Sequence, residues 1–187
     1  GYQGGYRGYN WKCFTEGDIT PFVEMYSRHG LAESDQGDYP YLHDMGPRQW
    51  EGTIQYGLEL GNKFGIMAST DQHSGYPGSY GDGRIGVLAP SLTRDAIWEA
   101  LRTRHVCAAT GDKIIIDFRL NDALMGDVVR GNSRRIYLNV TGESCIDYVD
   151  IVKNGQILAR MSGPLTPVAP EGDTVRCKVK VDFGWNR

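Results

Sequence analysis

Asp71 and His73 form an Asp-x-His triplet directly after the short apolar run GIMAST at 65–70. Residues at i and i+2 of an extended segment project to the same side, so a carboxylate and an imidazole would face one point. This pair of ligand types suits Zn²⁺, Mn²⁺ or Fe²⁺. The alternative is an ordinary loop, in which the aspartate caps a turn beside an exposed histidine. The place of the triplet at a strand end, where α/β proteins hold active sites, favours the metal site.

Glu24 and His29 repeat this arrangement, because they too belong to a short strand-like run followed by a polar loop. Glu24 lies in PFVEMYS at 21–27, where a carboxylate on a buried strand is costly unless it is paired or binds a cation. A salt bridge with Arg28 or with another arginine is therefore the alternative to a place in the site. We predict that Glu24 and His29 are catalytic residues, with His29 a ligand or a substrate contact.

A glycine-rich stretch at 75–86 follows the triplet. It lacks the glycine spacing of a nucleotide-binding loop, but its glycines would let backbone N–H groups approach an anion. Arg84 is the cation that we expect there, as a third catalytic residue. We interpret the remaining two histidines as structural. His43 is expected to be a loop residue, and His105 a core residue or one that compensates a helix dipole.

The elements that would position these residues alternate between strand and helix up to about residue 112. In chain order they are a strand at 21–27, a helix at 47–65, a strand at 65–70, a helix at 92–106 and a strand at 106–110. This order is typical of an α/β layer or barrel. Thr93 is a natural N-cap for the second helix, whose first turn carries Asp95.

Strand-like alternation without helices begins after residue 112, and Asn154-Gly155 marks a hairpin turn within it. We therefore predict two domains: an α/β domain at 1–112, and an antiparallel, sandwich-like β region at 113–187. About five strands can be counted in the second region, whereas a sandwich normally has roughly seven. The β region is therefore expected to be truncated.

Bulk composition excludes several classes of function. The 187 residues carry a net charge of −3, which provides no basic surface for nucleic acid. No apolar stretch approaches the ~20 residues that cross a membrane. The four cysteines contain no Cys-x-x-Cys pair, which argues against a zinc ribbon or a thioredoxin-type site. We thus expect neither a nucleic-acid partner nor a membrane partner, and the sequence predicts no localisation.

Three motifs in this order carry a resemblance to a known family: VEMYSRHG, GIMASTDQHSGYPG and LTRDAIWEALRTRHVCAATGDKI. They resemble the C-terminal half of a PHP-type domain (polymerase and histidinol phosphatase superfamily), and more closely an uncharacterised bacterial branch with a β-rich tail. The resemblance implies a distorted β/α barrel that holds two or three divalent metal ions and hydrolyses a small-molecule phosphate ester with a metal-activated water. It implies that Asp71 and His73 are metal ligands and that Glu24 and His29 lie at the edge of the site.

The chain departs from this family in its histidines. The family's opening His-x-His motif does not occur, and the chain holds only four histidines. We therefore expect a fragment of a hydrolase that is inactive alone and needs the missing N-terminal part of the barrel. The alternative is a degenerate barrel that binds a carbohydrate or a protein, favoured by 11 tyrosines and 4 tryptophans. Metal bound at Asp71 and His73 would separate the two hypotheses.

Overall fold

A computed structural model of the protein describes residues 8–17, 19–35, 45–76, 78, 82–143 and 145–162. The chain divides into two compact units, Gly1–Thr141 and Gly142–Arg187. The described residues form two α-helices, α1 (Ile54–Glu59) and α2 (Arg94–Arg102), and ten strands in four small sheets. The strands are β1 (Phe22–Ser27), β2 (Gly30–Leu31), β3 (Gly65–Ala68), β4 (Gly83–Val87), β5 (Val106–Thr110), β6 (Ile115–Leu120), β7 (Ala123–Leu124), β8 (Ile136–Thr141), β9 (Tyr148–Lys153) and β10 (Gln156–Ser162).

The sheet of β2, β1 and β3 positions the candidate site. β1 pairs with β3 in parallel, from Phe22 opposite Gly65 to Tyr26 opposite Ala68, and β2 returns antiparallel to β1. Parallel pairing brings the carboxyl ends of β1 and β3 to the same edge of the sheet. The polar segments that follow the two strands therefore meet there.

An aromatic core lies against this sheet. Trp11, Val23, Ile54 and Phe64 are buried together, and the Trp11 and Phe64 rings stack at 5.2 Å between centroids. The Trp11 indole also donates a 2.8 Å hydrogen bond to the Thr53 carbonyl, which satisfies its polar atom. Trp11 is thus a packing residue, which removes one candidate for an exposed sugar-binding surface.

The helix predicted at 47–65 is much shorter in the structure. A 3₁₀ turn at Trp50–Gly52 precedes α1, which begins only after Thr53, whose side chain caps the Tyr56 N–H at 3.0 Å. The helix then ends before Gly61, which has a φ of +85°. The N-cap therefore lies inside the apolar pattern from which the longer helix was predicted.

The second predicted helix is confirmed as α2. The Thr93 hydroxyl accepts a 3.3 Å hydrogen bond from the Ala96 N–H, Asp95 lies in the first turn and Arg102 in the last. These charges oppose the helix dipole at both ends. No helix in the described part of the chain is long and apolar enough to cross a membrane.

The predicted α/β barrel is wrong. The described strands form small separate sheets, in which β1 with β3 is the one parallel pair, and they close no barrel. The glycine stretch at 75–86 contains the missed strand β4, which pairs antiparallel with β5. A β/α barrel instead requires successive parallel strands with a helix after each. The described residues contain more strand than helix, and their two α-helices are short.

The strands predicted after residue 112 form small antiparallel sheets. β6 pairs with β7 and β8 in the first unit, and β9 pairs with β10 in the second. The predicted hairpin turn is confirmed, with φ values of +52° at Asn154 and +72° at Gly155. The part of the predicted β region after residue 162 lies outside the described residues. The domain boundary near residue 112 stays a prediction.

Candidate metal centre

His29, Asp71 and His73 converge at the carboxyl ends of β1 and β3. One ligand atom from each residue lies within 4.8 Å of the others. The Asp71 carboxylate stands between the two imidazoles, with Oδ2 3.6 Å from His29 Nε2 and Oδ1 3.5 Å from His73 Nε2. This cluster, His29 with Asp71 and His73, is called the metal cluster below.

The turn between β1 and β2 holds His29. Its backbone N–H donates a 3.2 Å hydrogen bond to the buried Ser27 hydroxyl, and its carbonyl accepts a 2.9 Å hydrogen bond from the Met45 N–H. The imidazole is 26 % exposed, but its Nε2 atom is buried without a hydrogen-bond partner among the described residues. A buried polar atom without a partner is costly, and a metal ion would supply the missing partner.

The backbone that carries Asp71 and His73 differs from the predicted extended segment. β3 ends at Ala68, and Asp71 adopts a φ of +45°. Aspartate tolerates this left-handed conformation better than most residues. His73 follows in a turn and is 76 % exposed, against 42 % for the Asp71 side chain. The two side chains therefore converge through a bend in the backbone, not through strand alternation.

The spacing of the metal cluster suits a shared ion. Zinc binds nitrogen and oxygen ligands at 2.0–2.2 Å, so two ligands of one tetrahedral ion stand about 3.3 Å apart. The separations of 3.5 and 3.6 Å, which run from the two different oxygens of Asp71, are close to that value, and the three ligand atoms as a set lie within 4.8 Å of one another. They are longer than the 2.7–3.2 Å of an ordinary N–H···O hydrogen bond. Two imidazoles and a carboxylate are also ligand types that transition metals prefer.

Glu24 lies beside the metal cluster, in the wall of a cavity of about 290 Å³ that His29 and Asp71 also line. The Ser69 hydroxyl donates a short hydrogen bond to Glu24 Oε2. Tyr9, another residue of the cavity wall, donates a 2.6 Å hydrogen bond to the Glu24 carbonyl. The carboxylate is thus held at the cavity by Ser69 and not by the alternative partner, Arg28.

The other candidate residues lie elsewhere. Arg84 is in β4, opposite Ala109, and does not line the cavity; its role as an anion-binding cation stays a prediction. His43 lies outside the described residues. The His105 ring forms two hydrogen bonds, one between Nδ1 and the Thr103 hydroxyl at 3.2 Å and one between Nε2 and the Asp127 carboxylate at 2.9 Å. It therefore connects α2 and β5 to the segment after β7.

Two residues around the metal cluster, Ser69 and Gln72, were missed by sequence reasoning, and Arg28 was considered only as a salt-bridge partner of Glu24. Ser69 contacts Glu24, and Arg28 Nη1 donates a 2.6 Å hydrogen bond to the Gln72 carboxamide oxygen. The partners in these two pairs are 45 and 44 positions apart in the chain. No local pattern could reveal such pairs. The adjacency of Gln72 to both Asp71 and His73 was the one available signal.

Comparisons with known proteins give relatives without an assigned activity. An uncharacterised protein of Chlamydia pneumoniae is 28 % identical over 153 residues, which covers 73 % of this chain and 25 % of the relative. An uncharacterised protein of Chlamydia trachomatis is 27 % identical over 169 residues, which covers 81 % and 27 %. The chain thus spans about a quarter of the length of these curated relatives. No family model and no solved structure matches it, and the resemblance to PHP-type domains stays a prediction.

Proposed function

We propose that the metal cluster binds a divalent transition metal ion, Zn²⁺, Mn²⁺ or Fe²⁺, and that the protein is a metal-dependent hydrolase. The observation that carries this proposal is the convergence of three ligand atoms within 4.8 Å, one of them the buried, unpartnered His29 Nε2. When bound, such an ion supplies Lewis-acid chemistry, which polarises a water molecule and a substrate oxygen.

The residues of the chain divide the remaining work. His29, Asp71 and His73 hold the ion. Glu24 lines the adjoining cavity, where its carboxylate is placed to accept a proton, and Ser69 orients that carboxylate through its hydrogen bond. The cavity, at about 290 Å³, leaves room for a small substrate group beside the metal cluster.

The described residues of this chain contribute three ligands. A catalytic zinc site commonly has three protein ligands and a water. We propose that a second or third ion, if present, is bound with further histidines from the N-terminal part of a longer protein. A small-molecule phosphate ester is the first substrate class to test, because the three sequence motifs resemble a phosphoesterase family. The cavity itself does not select phosphate.

The alternative function, a module that binds a carbohydrate or a protein, has less support. Its basis was the number of tyrosines and tryptophans, but Trp11 packs with Tyr9, Phe14 and Phe64 at ring-centroid distances of 5.2–5.5 Å, and Phe14 lies 5.7 Å from Phe64. These rings therefore belong to the core.

The decisive experiment is metal analysis of the purified chain after incubation with Zn²⁺, Mn²⁺ or Fe²⁺ and gel filtration. We expect about one equivalent of metal in the wild type. Asp71→Asn and His73→Ala should each reduce binding at least about tenfold, because each removes a direct ligand. A longer protein that includes the N-terminal region should then hydrolyse phosphate esters in a metal-dependent way.

A matched control is Asp122→Asn, which removes an equally charged carboxylate whose side chain is 86 % exposed and remote in sequence from the metal cluster. Asp122, like Asp71, has a positive φ, of +72°, so the same backbone conformation is tested. A wild-type chain that stays metal-free, or an Asp71→Asn variant that binds metal as the wild type does, would overturn the proposal.

A further inference from the structure

Two separate chain segments carry the ligands of the metal cluster. His29 lies in the turn between β1 and β2, whereas Asp71 and His73 lie in the segment after β3. The parallel pairing of β1 with β3 reaches only to Tyr26 and Ala68, and one more backbone hydrogen bond joins the Ser69 N–H to the Tyr26 carbonyl at 3.0 Å. The ligands themselves lie beyond this ladder, where a side-chain contact can connect the two segments directly.

Arg28 and Gln72 supply such a connection. Arg28 precedes His29, and its Nη1 donates a 2.6 Å hydrogen bond to the carboxamide oxygen of Gln72. Gln72 stands between the two ligands of the other segment. A bond from a guanidinium is charge-assisted and stronger than one between neutral groups. The contact therefore links Arg28, which precedes His29, to Gln72, which lies between Asp71 and His73 in the sequence.

Gln72 also shapes its own segment. The same carboxamide oxygen accepts a 3.2 Å hydrogen bond from the Ser74 N–H, which closes the turn that contains His73. Asp71, on its other side, has a φ of +45°, and such a conformation persists where surrounding contacts enforce it. The Gln72 carboxamide oxygen thus restrains the turn that contains His73 and also accepts the hydrogen bond from Arg28.

We propose that Arg28 and Gln72 are positioning residues of the metal centre, a pair that holds the β1–β2 turn and the Asp71–His73 segment at the spacing a shared ion requires. The inference rests on the proposed metal site and identifies what preorganises it. Residues that orient metal ligands typically change metal affinity by 10–100-fold when they are replaced. Since the Arg28–Gln72 contact is exposed, we expect metal affinity to fall by about tenfold, the lower end of that range.

The test is a double-mutant cycle on the purified chain, with Co²⁺ as the probe and its visible absorption as the readout. Arg28→Met and Gln72→Leu should each weaken Co²⁺ binding about tenfold. The double variant should be no weaker than Gln72→Leu alone, because Arg28→Met breaks only a contact that Gln72→Leu has already removed. Arg28→Lys should recover part of the loss, since lysine keeps a cationic donor but not the planar guanidinium.

The control for lost charge is Arg135→Met, which removes a guanidinium that is 78 % exposed and pairs with Asp122 at 3.5 Å. It should leave Co²⁺ affinity within about twofold of the wild type. Thermal unfolding of each variant separates weaker binding from loss of the fold, and Gln72→Leu, which breaks the same contact from the other side, serves if Arg28→Met does not fold.

The outcomes are distinct. A wild type that binds Co²⁺ and an Arg28→Met variant that binds it equally well would overturn the positioning role and leave the metal site standing. Losses that multiply in the double variant would show that Arg28 and Gln72 act separately, and would also overturn it. A wild type that does not bind Co²⁺ overturns both the metal site and the positioning pair.

Discussion

Asp71 combines an unusual backbone conformation with a central place between two imidazoles. Its φ of +45° is a conformation that aspartate and asparagine adopt more readily than other non-glycine residues. Asp71→Asn therefore removes the charge and keeps the conformational preference. Asp71→Ala would also add backbone strain of about 1 kcal/mol. The asparagine variant is thus the one that reports on the carboxylate alone.

A second histidine–carboxylate pair has a structural role. His105 Nε2 and Asp127 Oδ1 are 2.9 Å apart, and Asp127 Oδ2 accepts a 2.9 Å hydrogen bond from the Leu124 N–H. The hydrogen bond from His105 is the main cause that lowers the pKa of Asp127 below its ordinary value, with the Leu124 N–H contributing. The pair joins the start of β5 to the segment after β7.

This pair predicts a pH-dependent contribution to stability. Asp127→Asn should lower the free energy of unfolding at pH 7 by about 0.5–1 kcal/mol, a small value because the carboxylate is 40 % exposed and solvent screens it. A lowered pKa contributes stability above the unfolded pKa of about 4, and that stability is lost as the pH falls through the lowered value. The difference between variant and wild type should therefore shrink below about pH 4.

Urea unfolding at pH 7 and at pH 3 measures this difference. Asp122→Asn, at an exposed carboxylate, provides the comparison and should show little change at either pH. A loss in Asp127→Asn that is equally large at both pH values would mean that the native Asp127 carboxyl titrates normally.

β4 shows how glycines permit two neighbouring strands to approach. A Cβ at Gly83 would lie 2.6 Å from the Ser69 carbonyl oxygen, whereas a Cβ at Gly86 would lie 2.5 Å from the Cys107 sulfur. The first obstacle is backbone, and the second is the end of a side chain. Because Ser69 also donates to Glu24, the close approach at Gly83 adjoins the candidate site.

Gly83→Ala should therefore destabilise the protein by about 1–3 kcal/mol, because the backbone of the segment after β3 must move. Gly86→Ala is the matched comparison, and we expect a loss below about 1 kcal/mol, since the Cys107 side chain can rotate. Urea unfolding measures both losses. If Gly83→Ala proved as stable as Gly86→Ala, the approach of β4 to Ser69 would be looser than described.

The metal cluster and the β9–β10 hairpin belong to different compact units of the chain. All three ligands belong to the first compact unit, and the hairpin belongs to the second. In the hairpin, Arg160 makes hydrogen bonds of 2.7 and 2.8 Å to Asp150 and lies 4.0 Å from the centre of the Tyr148 ring. The second unit thus has its own cross-strand stabilisation.

Asp150→Asn should therefore destabilise the hairpin and leave Co²⁺ binding within about twofold of the wild type. The expected loss of stability follows from the bidentate ion pair with Arg160, which an asparagine cannot replace. Circular dichroism during heating and a Co²⁺ titration measure the two effects. A tenfold loss of Co²⁺ affinity would show that the second unit influences the site.

Local signals in the chain were sufficient for several elements. The apolar run before a polar loop located β1, the Thr93 cap located α2, and Asn154-Gly155 located the β9–β10 turn. Each of these depends on residues a few positions apart, whose backbone preferences and hydrogen bonds are decided within one element. The candidate ligands Asp71 and His73 were predicted on the same local basis.

Contacts between distant segments decided the rest. β4 was not predicted because it begins in a glycine-rich stretch, and glycine adopts strand and loop conformations alike. Glycine is required at Gly83 and Gly86 because β4 approaches Ser69 and Cys107 closely, which only the folded chain shows. The antiparallel pairing of β4 with β5 replaced the predicted barrel. His29 joined Asp71 and His73 because parallel pairing of β1 and β3 brings two strand ends together across more than forty residues. Burial of its Nε2 atom, which makes that histidine a candidate ligand, exists only in the folded chain.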